Sequence, residues 1–240
     1  MDKIWLEEQV AKAVAFFWNT RSRQGAFIGE AGEYIGNRAQ VTGGKQLDGF
    51  ADLLREILLK EGIKDDAIFI HSDLELPGYF RANKKWDLLV IEKGKLLAAV
   101  ELKSQVGPSF SNNFNNRTEE AMGSALDLWT AYREGAFGIQ TQPWLGYLMV
   151  LEECKKSTVP VKNREPHFSV LDEFSNASYK DRYEIFCKKL MLERQYTQTC
   201  FITTTNKQWS EQYSYPNEAL SFPRFADSLL AYIRANRSIE

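Results

Sequence analysis

Apolar residues recur at helical spacing from the start of the chain. Leu6, Val10, Ala13, Val14 and Phe17 fall on one stripe and predict an amphipathic helix over residues 4–18. Residues 20–40 are richer in glycine and read as a loop. A second stripe, Leu47, Ala51, Leu54 and Leu58, predicts a helix over residues 42–60, with Asp48, Asp52 and Glu56 along a neighbouring face and Gly62 stopping it. The pattern then changes. A short strand over 67–71 and a turn at Leu76-Pro77-Gly78-Tyr79-Phe80 lead into a buried strand over 84–91. The turn Glu92-Lys93-Gly94-Lys95 reverses the chain into an antiparallel return strand over 96–102, apolar until it ends on Glu101 and Lys103.

A polar loop follows over 104–117. Thr118, with Glu119 and Glu120 behind it, begins a helix that carries Met122, Ala125, Trp129 and Tyr132 on one side and closes at Gly135. A strand over 145–151, a charged connection over 155–166, a helix over 179–196, a strand over 200–204 and a terminal helix over 222–236 complete the chain. No internal repeat or low-complexity linker divides it. Helices and strands alternate around a central hairpin, which predicts an α/β fold with a mixed sheet flanked by helices. The expected organisation is a single domain over 1–240, with a core at about 42–151 and a helical and strand remainder over 152–240.

Composition narrows the function classes. A chain of 240 residues with 44% hydrophobic and 26% charged residues has the balance of an ordinary globular domain. Its apolar runs, such as 88–91 and 96–100, are far shorter than the roughly 20 residues that span a bilayer. Glu7 and Glu8 stand where a secretory signal would continue its apolar stretch, so a cytoplasmic protein without membrane association is expected. Cys154, Cys187 and Cys200 form no CxxC pair, which disfavours a zinc knuckle or a disulfide framework. Only two histidines are present, and neither a GxxxxGK[ST] loop nor a Gly-x-Ser-x-Gly elbow occurs. The net charge of −2 argues against indiscriminate coating of nucleic acid but is compatible with a local basic cleft.

The remaining chemistry lies in acids. Asp87 begins one strand of the hairpin and Glu101 ends its partner, so the two carboxylates can converge at one sheet edge. Hard oxygen ligands of this kind suit Mg²⁺, which keeps several waters and shares its coordination with substrate phosphate. Lys103 lies two residues beyond Glu101 and shares its face by strand alternation. An ammonium there can orient an attacking water and neutralise charge building on a phosphorane. Two carboxylates, a lysine and a divalent cation are what in-line phosphodiester hydrolysis requires. Against this stands the frequency of Glu-x-Lys in unrelated strands, where both charges are simply solvated.

A longer pattern bears on that choice. Glu101-Leu102-Lys103-Ser104-Gln105-Val106-Gly107-Pro108-Ser109-Phe110, continuing through Asn112-Asn113-Phe114-Asn115-Asn116-Arg117-Thr118-Glu119-Glu120-Ala121, resembles the XhoI-type restriction endonucleases. So do Asp127-Leu128-Trp129-Thr130-Ala131-Tyr132-Arg133-Glu134-Gly135-Ala136-Phe137 and, upstream, Gly44-Lys45, Asp48-Gly49-Phe50, Leu76-Pro77-Gly78-Tyr79-Phe80-Arg81 and Trp86-Asp87. The similarity is dense over 42–138 and looser beyond Gly138, and the chain departs from the family in the first forty residues and after about Thr197. It implies a PD-(D/E)XK fold with a catalytic hairpin of Asp87, Glu101 and Lys103. It also implies a type II enzyme that binds CTCGAG in double-stranded DNA as a homodimer, cuts both strands with Mg²⁺ to leave 5′-phosphates, and is accompanied by a cognate methyltransferase.

Within that resemblance Asp48 becomes a candidate to complete the metal shell with Asp87 and Glu101. Glu56 is a second candidate, and a solvated helical acid is an equal alternative. Gln105, Ser109, Asn112, Asn113, Asn115, Asn116 and Arg117 form a candidate DNA-reading loop, since amides pair bidentately with adenine and arginine with guanine. The run of asparagines reads as too polar to pack and too irregular for a helix; a loop satisfying its own turns is the alternative. Lys45, Arg81, Lys84 and Lys85 are candidates for a phosphate-gripping rim. Two further readings stay open: a DNA-binding module that keeps the fold without cleavage, and a repair or recombination nuclease that recognises DNA structure.

Overall fold

The structure, a computed structural model, describes residues 2–30, 43–206 and 211–237, without the side chains of 24–30, 43 and 44. Its helices are α1 (Lys3–Glu30), α2 (Asp48–Lys60), α3 (Ser111–Arg133), α4 (Lys155–Thr158), α5 (Tyr179–Leu192) and α6 (Phe222–Asn236). Its strands are β1 (Ile68–Phe69), β2 (Glu75–Pro77), β3 (Asn83–Lys85), β4 (Leu88–Glu92), β5 (Lys95–Gln105), β6 (Trp144–Glu152), β7 (Gln198–Thr204) and β8 (Tyr213–Ser214). Six of the strands form one sheet in the order β1-β4-β5-β6-β7-β8, while β2 and β3 pair separately.

The sheet changes direction at β5. That strand runs antiparallel to β4, with Leu88 opposite Val100, and parallel to β6, with Glu101 beside Tyr147. The β6–β7 pair is parallel as well, and β1 and β8 add antiparallel edges. The hydrophobic pattern explains the layering. In β6 every residue is buried, as befits a strand covered on both faces. Its Leu148 and Val150 join a core shared with Phe17 of α1, Leu54 of α2 and Leu229 of α6. The alternate residues Tyr147 and Met149 face α3 and α5, among Ala125, Leu128, Tyr183 and Leu190. The expected mixed sheet between helical layers is therefore present. Among the described residues no helix is long and apolar enough to cross a membrane.

Several boundaries differ from the pattern-based expectation. The first helix continues to Glu30 instead of ending near residue 18; its extension contains no proline, and Arg21 is tied to Gln46 Oε1 at 3.2 Å. Of the loop expected over 20–40, residues 31–40 lie outside the described residues, as does Thr42. A 3₁₀ turn, Gly43–Leu47, precedes α2. The strand expected over 84–91 is broken at Trp86 and Asp87, where the chain passes from the small sheet to the large one. Trp86 N donates to Leu74 O at 2.9 Å, whereas Asp87 N donates to Val100 O at 3.1 Å.

The polar loop expected over 104–117 is also corrected. Ser104 and Gln105 extend β5, and the asparagine run forms the first turns of α3. Tertiary packing overrides the weak helix propensity of asparagine there. Phe114 meets the Tyr183 ring edge-on at 4.9 Å, and Phe110 stacks on Tyr179. Asn113 Nδ2 reaches back to Ser109 O at 2.7 Å, so its amide supports the turn. Met122, expected on the core side, is exposed, and its neighbour Ala121 faces inward. The helix expected to reach residue 196 ends at Leu192, and Arg194 then adopts a positive φ of 54°.

Packing around β6 is tight enough to exclude a single methyl. A Cβ on Gly146 would lie 2.7 Å from Phe225 Cζ and collide with the Trp144 ring. Gly146→Ala is expected to destabilise the fold by about 1–3 kcal/mol through overpacking, read as a lower urea midpoint with an unchanged slope.

A candidate active site at the end of the hairpin

The polar end of β5 emerges where its apolar run stops. Glu101 is 1% exposed, although carboxylates are rarely buried without partners. Here the partners come from three separate elements. Lys84 Nζ of β3 lies 3.1 Å from Glu101 Oε1, and Lys103 Nζ of β5 lies 3.0 Å from the same oxygen. The Tyr196 hydroxyl, in the connection after α5, donates to Glu101 Oε2 at 2.9 Å and has Ala121 O as a second acceptor at 3.1 Å. Burial alone would push the Glu101 carboxyl up, but Lys103, Lys84 and the Tyr196 hydroxyl outweigh it and hold it below the ordinary range. Burial would likewise depress Lys103; Glu101 and Asp87 more than offset that and raise it.

Asp87 sits at the break before β4. Its Oδ2 accepts from Leu102 N at 2.7 Å, which locks the carboxylate against the next residue of β5. Burial raises its pKa and Glu101 adds to the rise, against lowering by the Leu102 amide, Lys103 and Lys84. Glu101, Lys103 and Lys84 line one cavity of about 440 Å³ together with Arg81, Lys85 and Glu120. Asp87 lines a second, of about 420 Å³, with Lys45, Asp48 and His71. Lys85 borders both. The two carboxylates are thus close enough to influence each other while opening to different hollows.

These acids suit a hard divalent cation in chemistry. Asp87 is half-buried, with one amide bonded to Oδ2 and the nearest ammonium groups directed mainly at Glu101, so a cation would relieve its burial. Among the described residues no group of three or more His, Cys, Asp or Glu side chains is arranged to hold a metal. A cation bound here would take few ligands from the protein and complete its shell with water and phosphate, as Mg²⁺ accepts. Asp48, whose carboxyl is raised chiefly by burial, shares the Asp87 hollow. Glu56 does not: it borders a separate hollow beside α1 and pairs with Lys60 at 3.0 Å.

The candidate DNA-reading residues divide into two groups. Asn112, Asn115 and Asn116 are exposed on the first turns of α3, and Ser109 is exposed just before it. Arg117 is partly exposed and bonds Glu120 Oε2 at 2.7 Å. Lys45 is exposed at the rim of the second hollow. Gln105, by contrast, is 2% exposed, and both ends of its amide are occupied: Oε1 by the Tyr183 hydroxyl at 2.6 Å and Nε2 by Ser109 O at 2.7 Å. With Asn113 on the same Ser109 oxygen, Gln105 braces the approach to α3.

Sequence reasoning missed Tyr196 and Asp127. Nothing local marks Tyr196, because its role depends on the chain returning beside β5. Asp127 left a signal: it lies on the inward stripe of α3 between Ser124, Leu128 and Ala131, all buried. Its Oδ1 accepts from Tyr79 N and Phe80 N, both at 2.8 Å, and its Oδ2 from Arg81 Nε at 2.7 Å. Burial pushes this carboxyl up, but Arg81 and the two amides hold it below the ordinary range.

Comparison with known proteins bears directly on this geometry. The sequence model of the family described as Restriction endonuclease XhoI matches residues 24–215. The type II restriction enzyme BstVI of Geobacillus stearothermophilus is 53% identical over 216 residues, covering 87% of this chain and 96% of that protein. The type II restriction enzyme XhoI of Xanthomonas vasicola is 48% identical over 182 residues, covering 75% and 73% respectively. The type II restriction enzyme AbrI of Azospirillum brasilense is 45% identical over 163 residues, covering 68% and 73%. No solved structure matches. With most of its length covered by the family and by these relatives, the chain belongs to the XhoI family of restriction endonucleases, enzymes of type II.

Proposed function

We propose that this protein hydrolyses phosphodiester bonds in double-stranded DNA at a palindromic site, CTCGAG, with Mg²⁺, using Asp87, Glu101 and Lys103. The observation that carries the reading is the buried Glu101 carboxylate at the polar end of β5, with Lys103 Nζ 3.0 Å away and Asp87 locked to the adjacent Leu102 amide. The similarity to XhoI and BstVI supports the substrate class.

In this reading Asp87 and Glu101 would hold the cation, with Asp48 from α2, which shares the Asp87 hollow, joining them once DNA and the cation draw the three acids together. Bound there, Mg²⁺ would supply Lewis acidity to the scissile phosphate and acidify the attacking water. Lys103 keeps its proton beside the two carboxylates and places a positive charge where the phosphorane becomes more negative. Lys84 is a second ammonium on Glu101 and bounds the same cavity, so it faces substrate phosphate as part of the rim with Arg81 and Lys85. Tyr196 is a positioning residue: its hydroxyl fixes Glu101 Oε2 and leaves Oε1 toward the ammonium groups. Asn112, Asn115, Asn116 and Arg117 offer base-reading groups on the exposed start of α3, with Ser109 and Lys45 beside the path of the backbone. Asn113 and Gln105 hold this surface in place.

A palindromic site is matched by a homodimer, because two-fold symmetry presents one set of these residues to each strand. Attack of water on phosphorus with rupture of the P–O3′ bond leaves a 3′-hydroxyl and a 5′-phosphate, and a cognate methyltransferase would protect the host's own sites.

The test is cleavage of a plasmid bearing one CTCGAG site, with the ends sequenced, for wild type and Glu101→Ala. Mg²⁺-dependent cuts only at the hexamer, absent in the variant, are expected. A footprint without cutting would instead favour the binding-only reading, and equal cutting of branched DNA lacking the hexamer would favour structure recognition. Lys103→Ala is expected to slow single-turnover cleavage by roughly a hundred- to a thousandfold while retaining duplex binding, since it removes transition-state stabilisation. Unchanged turnover in that variant would rule out the assigned role.

A further inference from the structure

We propose that the tip of the β2–β3 hairpin is a DNA-contacting arm, in which Tyr79 and Phe80 pack on the apolar sugar and base edges of the duplex beside the scissile phosphate. The proposal rests on the nuclease reading above for its occupant and adds a contact that lies outside the acidic cluster and the α3 surface.

The first observation is that two large rings are left in solvent. Tyr79 is 54% exposed and Phe80 66% exposed, and their rings meet edge-on at 4.9 Å. Neither belongs to either hydrophobic core. The second is that the loop bearing them is fixed by means other than those rings. Both backbone amides donate to one oxygen of buried Asp127, and Arg81 Nε takes the other. A Cβ on Gly78 would lie 2.5 Å from Asp127 Oδ2 and 2.6 Å from Arg81 O, so glycine is required for the loop to close onto α3 this tightly. A rigid loop that spends its backbone on a buried carboxylate while presenting two rings outward is built to display them. Other apolar side chains, such as Phe168, are more exposed, but these two rings are adjacent and held on a fixed loop.

The third observation selects the occupant. Arg81 of the tip and Asn83, Lys84 and Lys85 of the strand leaving it all line the cavity that ends on Glu101 and Lys103. A ligand lying along these cations is a polyanion, and its apolar parts are carried past the rings. Nucleic acid combines the two: phosphates for the ammonium and guanidinium groups, and sugar and base faces for the aromatics. A second copy of this chain, the other candidate for covering Tyr79 and Phe80, would have to leave that charged wall facing it.

The test compares wild type with Tyr79→Ala/Phe80→Ala, which removes the rings and keeps both amides on Asp127. A second variant, Tyr79→Phe/Phe80→Tyr, keeps two rings in place. Binding of a fluorescein-labelled CTCGAG duplex is followed by anisotropy without divalent metal, cleavage is followed with Mg²⁺, and molecular mass is measured by sedimentation. The alanine pair is expected to bind about tenfold or more weakly and to raise KM similarly, with the single-turnover rate at saturating enzyme and the thermal midpoint retained. The ring-exchanged pair is expected to keep wild-type affinity. Wild-type affinity in the alanine pair would overturn the arm while leaving the nuclease reading intact, as would weaker binding that tracks dissociation of a dimer. A wild type that binds but never cuts would defeat the nuclease reading alone, and the arm would still be judged by the difference in binding. A wild type that neither binds nor cuts DNA would overturn both.

Discussion

Burying one carboxylate at the end of β5 constrains much of the molecule. Removing Glu101 from water costs several kcal/mol unless opposite charge and hydrogen bonds replace its hydration. In this chain the replacements cannot come from β5 alone. Lys103 is two residues away on the same strand, but Lys84 belongs to the small second sheet and Tyr196 to the connection leaving α5. The hairpin formed by β2 and β3, the central sheet and the layer formed by α3 and α5 must therefore meet at this point. The Ala121 carbonyl against the same tyrosine hydroxyl extends the constraint to α3. A buried ion pair of this kind is weak evidence for stability, but it specifies which elements must adjoin.

The sheet topology places that constraint at a useful edge. Because β5, β6 and β7 are parallel, their carboxyl ends lie side by side, where Lys103 neighbours Met149 and Glu152 neighbours Thr204. Ligands in α/β sheets favour this edge. Here it is stiffened from both faces. Glu152 Oε2 accepts from Gly107 N at 2.7 Å, and Gln46 Nε2 donates to Ser104 Oγ at 2.9 Å while Arg21 holds the other end of the Gln46 amide. The segment linking the acidic cluster to the start of α3 is thereby fixed at several points, so the buried carboxylate and the exposed asparagines of α3 stand in a defined relation.

Much of this was legible in the sequence wherever a periodic pattern reported burial. The β4–β5 hairpin, the buried β6 and the terminal helix follow directly from apolar runs and stripes, and Glu101 and Lys103 share a face as strand alternation requires. What escaped depended on partners distant in sequence. The asparagine run is helical because Phe110 and Phe114 find Tyr179 and Tyr183, residues more than sixty positions later. Asp87 lies in a joint between two sheets because Trp86 follows Leu74 while Asp87 follows Val100. Gln105 looked like a base-reading amide because its residue type is right; its burial under Tyr183 is a fact of packing. Tyr196 had no local mark at all.

Two of the stretches that resemble the restriction enzymes, Leu76 to Arg81 and the one beginning at Asp127, are separated by more than forty residues but join through a single carboxylate. Their similarity to the family is thus one structural feature read twice, a hairpin and the latch that holds it. The latch also organises charge. With a net charge of −2, the protein as a whole does not attract DNA. Over a Debye length of about 8 Å at physiological salt, however, a phosphate senses only its neighbours. Around this hollow these are Arg81, Lys84 and Lys85 of the hairpin and Lys103 of β5, together with Glu119 and Glu120 of α3. With the cations concentrated on the hairpin and β5 and the exposed carboxylates on α3, a polyanion has one favourable side to follow, the one that carries the hairpin. By fixing the hairpin, Asp127 fixes the direction of that track.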